Sequence, residues 1–139
     1  MTEDMPKTGA PGWLKSTGAV IAGFIVVVFL STAGDGVMQA VGVFPPPGQA
    51  MDDPWLYLLA LAYRGAFTVV GGWVTARLAP GKPMKHVVAL ALIGLVAGTA
   101  GVVFAITSAL GPLWYAVAVA ITGPLCTLLG GRLLKQARP

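Results

Sequence analysis

Four apolar runs of at least 20 residues, separated by short polar or proline-rich breaks, decide what this chain can fold into. A helix crossing the ~30 Å hydrocarbon core of a bilayer needs roughly 20 mainly apolar residues. The runs fall at approximately 16–44, 55–78, 87–108 and 113–134. Water is a poor solvent for such a chain. Hydrophobic residues make up 56% of it and charged residues 10%, with a mean hydropathy of +0.80, whereas a soluble domain carries about 25% charged residues. The connections are too short to hold a soluble domain. The expected fold class is therefore all-α: a polytopic transmembrane bundle of four helices, with residues 1–139 forming one transmembrane domain.

The breaks between runs follow from backbone chemistry. Residues 1–12 are polar, with Pro6, Pro11, Gly9 and Gly12, and are expected to form a mobile tail. Trp13 and Lys15 then suit an interface. Phe44-Pro45-Pro46-Pro47-Gly48 is expected to end the first helix, because proline lacks the amide donor. Gly34-Asp35-Gly36 is expected to be a weak point within that helix. Asp53 is placed to cap the second helix, with Pro54 at its first position. Ala79-Pro80-Gly81-Lys82-Pro83 stops the second helix, and Leu110-Gly111-Pro112 turns the chain into the fourth. Gly123-Pro124 is expected to kink the fourth helix. A secretory leader is the rival reading of the first run, with cleavage after Ala33. The apolar positions Val37, Met38, Val41 and Val43, and the acidic Glu3 and Asp4, favour a retained helix.

The distribution of Lys and Arg sets an orientation. Lys7 and Lys15 precede the first run, Arg77, Lys82 and Lys85 flank the second break, and Arg132, Lys135 and Arg138 close the chain. The first and third breaks hold no Lys or Arg. Cytoplasmic segments are enriched in Lys and Arg, so both termini and the second break are expected in the cytoplasm.

Arg64 is the one basic residue outside this pattern, and it falls inside a span. So does Asp35. A lone Asp or Arg deep in the membrane costs about 2.5–3.5 kcal/mol on insertion scales. Counted from Phe44 and Trp55, each lies nine residues from the outer turn, about 13 Å deep on helices joined by a short loop. The expectation is an intramembrane Asp35–Arg64 ion pair, with Gln39 one turn from Asp35 and Tyr63 able to supply a hydroxyl. This set is the candidate polar site. It serves either as a structural pairing, as part of a solute, proton or ion pathway, or as a lipid or partner contact. His86, beside Lys85, is expected to be interfacial.

Gly94 and Gly98 form a GxxxG pair in the third run, with Gly101 nearby, and are the candidate helix-packing residues. Thr68-Val69-Val70-Gly71-Gly72 is echoed by Thr127-Leu128-Leu129-Gly130-Gly131.

Several functions are disfavoured. The net charge of +4 comes from bases beside hydrophobic runs, not from a basic patch interleaved with aromatics, so no nucleic-acid partner is expected. The single cysteine, Cys126, lies in an apolar run, and no Cys/His cluster suggests a metal. No cofactor motif is present. Asp35 has no second titrating group of the kind general acid–base catalysis needs, so the chain is not expected to be an enzyme.

Ala62-Tyr63-Arg64, Gly71-Gly72, Ala76-Arg77-Leu78-Ala79-Pro80, Pro83-Met84 and His86 together resemble a group of uncharacterised small bacterial four-helix membrane proteins. The resemblance implies a multi-pass protein of the bacterial inner membrane and transfers no functional residue. The reading at this level is a non-catalytic membrane component embedded in the lipid bilayer. Its partner would be a second copy or another membrane protein. The alternative is a small solute, proton or ion transporter or channel acting as an oligomer.

Overall fold

The computed structural model describes residues 12–46, 53–108 and 112–137. Four helices follow one another: α1 (Gly12–Ala40), α2 (Pro54–Leu78), α3 (Pro83–Ser108) and α4 (Leu113–Ala137). Each is long and apolar enough to cross a membrane. The described residues contain no strand. The chain is thus an integral, multi-pass membrane protein of the all-α class. The tail expected at 1–12 lies outside the described residues but for Gly12, which begins α1.

The helix ends are set by local chemistry. α1 stops at Ala40, four residues before the expected end at Phe44. Gly42 adopts φ 81°. The Val43 amide then donates to the Met38 carbonyl at 2.9 Å, and the Gly42 amide to the Gln39 carbonyl at 3.2 Å. This is the Schellman pattern, which satisfies carbonyls that the helix leaves free. The stop signal is thus Gly42, ahead of the prolines. Gly34-Asp35-Gly36 remains helical, because the neighbouring α2 fixes it, as described below. Asp53 caps α2: its backbone is extended and its Oδ1 accepts from the Trp55 amide at 3.0 Å. Pro83 opens α3 four residues earlier than expected, since proline at a first helical position forfeits no bond. That brings Lys85 and His86 into its first turn. α4 runs through Pro124 as a single helix.

At 29 residues, α1 is about 43 Å long, more than the hydrocarbon core spans. It must tilt or protrude. All four helices have one terminus at a common end of the bundle. There the Thr75 hydroxyl of α2 donates to the Ala19 carbonyl of α1 at 2.9 Å, His86 of α3 meets the Ser16 hydroxyl of α1 at 2.8 Å, and Ala76, Val87 and Leu134 form a buried cluster. Lys15, Arg77, Lys82, Lys85, Arg132 and Lys135 lie towards this basic end. α2 is central and packs along α1 and α4, while α3 packs along α4. Among the described residues the backbones of α1 and α4 do not pack closely on one another. The seam between α1 and α3 is closed towards the basic end by the Ser16–His86 contact and by Leu90 lying against Gly23.

The bundle is built small inside and large outside. Buried positions include Ala19, Ala60, Ala76, Ala91 and Ala120, while Phe29, Val96, Ile106 and Leu125 point outward. Lipid tails are as apolar as leucine, so burying leucine gains little, and helices associate through close packing of small residues. The closest approaches occur at glycines. A methyl group at Gly71 would fall 2.9 Å from the Gly23 carbonyl oxygen, and one at Gly130 would fall 2.9 Å from the Trp73 amide nitrogen. Gly72 faces the Thr127 backbone in the same way. The two echoed five-residue segments therefore lie on the two helices that cross most intimately at these positions.

Adding a methyl at Gly130 should separate α2 from α4. Gly130→Ala is expected to destabilise the protein by about 1–3 kcal/mol, the range for overpacking a filled interior. Gly101→Ala, where a methyl meets nothing within 4 Å, is expected to be neutral. Thermal unfolding of the two variants in the same detergent measures the difference.

Candidate functional site

The four expected polar residues lie in the half of the bundle remote from the basic end. Asp35 is five residues from the end of α1, and Arg64 is ten residues into α2. These spacings place them about 8 Å and about 15 Å from their respective helix ends. The two charges meet: Arg64 Nη2 pairs with Asp35 Oδ2. Tyr63 donates its hydroxyl to the other carboxylate oxygen, Oδ1. Neighbouring residues on a helix project about 100° apart. Tyr63 and Arg64 can both reach one carboxylate only because Asp35 stands between them, gripped from two sides.

The grip is framed by aromatic packing. The Tyr63 ring lies 6.3 Å from the Phe44 ring and 5.8 Å from the Phe67 ring, centroid to centroid. Phe44 is buried because the chain folds back after Ala40. It packs over Tyr63 and is not an interface marker nine helical residues beyond Asp35. Gly34 leaves room for the Tyr63 and Phe67 rings, whose edges lie 3.1 Å from where its methyl would be. A methyl at 34 would require both rings to shift by a few tenths of an ångström. The side chains of Arg64 and Asp35 keep 34% and 30% of their surface accessible, so the pair sits at an edge of the packed interior.

Gln39 stands apart. Among the described residues its side chain makes no hydrogen bond, and beyond the helix ladder its carbonyl accepts from the Gly42 amide. Gln39, expected at the polar site one turn from Asp35, does not join it, whereas Tyr63 does. Gly98 packs tightly on α4: a methyl there would lie 2.8 Å from the Ala120 Cα. Gly94 meets nothing within 4 Å and borders a cleft.

That cleft has a volume of about 460 Å³ and touches all four helices. α3 contributes Leu90, Gly94, Gly98, Gly101 and Phe104. α4 contributes Tyr115, Val119, Gly123 and Thr127, and α1 contributes Phe24 and Val27. From α2 come Tyr57, Arg64 and Thr68. Arg64 is its only charged lining residue; Asp35 and Tyr63 lie outside it. Arg64 Nε is buried and has no hydrogen-bond partner. The Thr68 hydroxyl is already committed to the Arg64 carbonyl at 2.7 Å. Tyr57 and Tyr115 pack with ring centroids 5.0 Å apart.

Sequence reasoning did not foresee this cleft. Tyr115 reads as an interfacial anchor beside Trp114, yet it lines the interior next to Tyr57. The available signal was the run of small residues on α3, which marks close approach or empty space without saying which. No group of three or more His, Cys, Asp or Glu side chains that could hold a metal occurs among the described residues. Comparison with protein-family models, curated proteins and solved structures finds no match to this chain.

Tyr63→Phe removes one hydrogen bond to a carboxylate and leaves the ring packing in place. A loss of about 1.5–3 kcal/mol is expected, the range for bonds to charged groups. Unfolding of wild type and variant in matched micelles measures it. Gln39→Leu should change stability by less than about 0.5 kcal/mol.

Proposed function

We propose that this protein is a non-catalytic integral membrane component of the bacterial inner membrane, with both termini cytoplasmic, and that Asp35, Arg64 and Tyr63 form a clamp holding α1 on α2. The observation that carries the reading is the double engagement of one carboxylate. Both Asp35 oxygens are taken by consecutive residues of α2. A carboxylate used to carry protons or ions would need to face a polar path. Here the adjoining cleft is lined mainly by apolar side chains, and the carboxylate lies outside it. Each charge would be costly alone in lipid, and pairing offsets that cost while fixing the register of two helices. The orientation rests on the basic end described above and on the rule that cytoplasmic ends are enriched in Lys and Arg.

The transporter or channel reading draws on one feature, the presence of Arg64 in the wall of the cleft. It requires water to reach the pair. Two measurements separate the readings. Arg64→Leu, which leaves Asp35 without its counter-ion, is expected to lower stability by about 3 kcal/mol. The exchanged double variant Asp35→Arg with Arg64→Asp should recover most of that loss. In a Cys126→Ser background, single cysteines at positions 35 and 64 should resist a small water-soluble thiol reagent in intact membranes. Rapid labelling at both positions in folded protein would instead establish an aqueous path and make transport the better reading.

A further inference from the structure

The cleft has the shape of a slot. On α3 its lining runs from Leu90 to Ala105, and fifteen residues of helix cover about 22 Å. The cleft holds about 460 Å³ along that length. Volumes of 300–1,000 Å³ with apolar walls and a few convergent polar groups are typical of small-molecule sites, and helix bundles commonly place them between helices.

The polar groups are concentrated towards one end. Tyr57 and Tyr115 stand near the start of their helices, remote from the basic end, and Arg64 lies two turns further along α2 from Tyr57. From Arg64 towards Phe24 and Leu90 the walls are alkyl, aromatic or glycine, apart from Thr68 and Thr127. The hydroxyls of both threonines are already donated to carbonyls of their own helices. The head end is also electrostatically one-sided. It contains a guanidinium and two phenols, while the balancing carboxylate lies outside the cleft. A guanidinium has five N–H donors. Asp35 engages one of its nitrogens, Nη2; the buried Nε is closed to a ligand, and among the described residues Nη1 has no hydrogen-bond partner.

We propose that this slot binds a long-chain fatty acid, with its carboxylate accepting hydrogen bonds from Arg64 and the Tyr57 and Tyr115 hydroxyls and its alkyl chain lying along Gly98, Gly94 and Leu90. The seam between α1 and α3, closed towards the basic end by Leu90 and His86, gives the chain a lateral way in from the bilayer. The glycines of α3 are what make room for it. A methyl group at Gly94 or Gly101 would meet nothing within 4 Å, so each position could carry a larger side chain only by filling the slot. The site uses the side of Arg64 turned away from Asp35, so it stands or falls separately from the clamp.

The test uses purified full-length protein in phosphatidylcholine nanodiscs and palmitate carrying a photoactivatable diazirine. After irradiation, mass spectrometry maps the adducts. Saturable labelling is expected on the lining residues of α3 and α4, competed by unlabelled palmitate. Hexadecanol, with the same chain and no carboxylate, should compete about tenfold or more less well, the equivalent of about 1.4 kcal/mol or more. Gly94→Leu and, independently, Gly101→Leu should abolish the saturable labelling while the protein still melts cooperatively. If one of these variants fails to fold, the other decides. Labelling spread over the lipid-facing surfaces and indifferent to both leucines would overturn the site. Equal competition by hexadecanol would overturn the assignment of the carboxylate to Arg64.

Discussion

In a bilayer the apolar side chains of a helix gain little from leaving the solvent, and this bundle has to be held by something other than hydrophobic burial. What holds it is backbone proximity. Gly23 against Gly71, Gly72 against Thr127, Gly130 against Val69 and Trp73, and Gly98 against Ala120 bring α1 to α2, α2 to α4 and α3 to α4. Each approach lets many weak dispersion contacts act together at short range. Each also brings the peptide groups of neighbouring helices near enough for polar contacts. The Thr75 hydroxyl reaching the Ala19 carbonyl across the α1–α2 crossing is one result. α2 carries the most such positions and accordingly sits at the centre.

The polar clamp is subordinate to that packing. Glycine crossings fix α1 on α2 at Gly23 and Gly71, about 18 Å along α1 from Asp35. Over the rest of the α1–α2 contact the interface must be held by other means, and Gly34 with the Tyr63 and Phe67 rings begins the task. The carboxylate completes it, because a charge buried in lipid without its partner is strongly disfavoured. Crossing and clamp thus act at opposite ends of one helix pair. The first sets the distance between the helices and the second sets their register.

The same small residues that permit close approach in one place leave space in another. Gly98 is filled by Ala120 of α4, whereas Gly94, one turn away, and Gly101 find no neighbour and open the cleft. The difference goes with the packing of α3, which lies chiefly along α4 and meets α2 and α1 less extensively. A glycine stripe on a helix therefore carries two opposite meanings, and only the neighbouring helices choose between them.

Much of this protein was legible in its sequence, because the bilayer imposes a requirement that individual residues answer. Four apolar runs dictated four helices, since lipid offers no partner for free backbone groups. Asp53 and Pro54 announced the start of α2 through local capping chemistry. The pairing of Asp35 with Arg64 followed from cost alone, as each was the other's only ionic partner in the spans. Even the true end of α1 was written in Gly42, a residue suited to a left-handed turn, although the prolines beyond it drew attention away. Tertiary structure decided the rest. It gave the second oxygen of Asp35 to Tyr63 and not Gln39, because helix α2 presents two consecutive side chains around the carboxylate. It turned Tyr115 inward onto Tyr57, and it left Gly94 open while filling Gly98. Each of these outcomes depends on the rotation and separation of helices distant in sequence, and those are fixed only when all four backbones have found their closest approach.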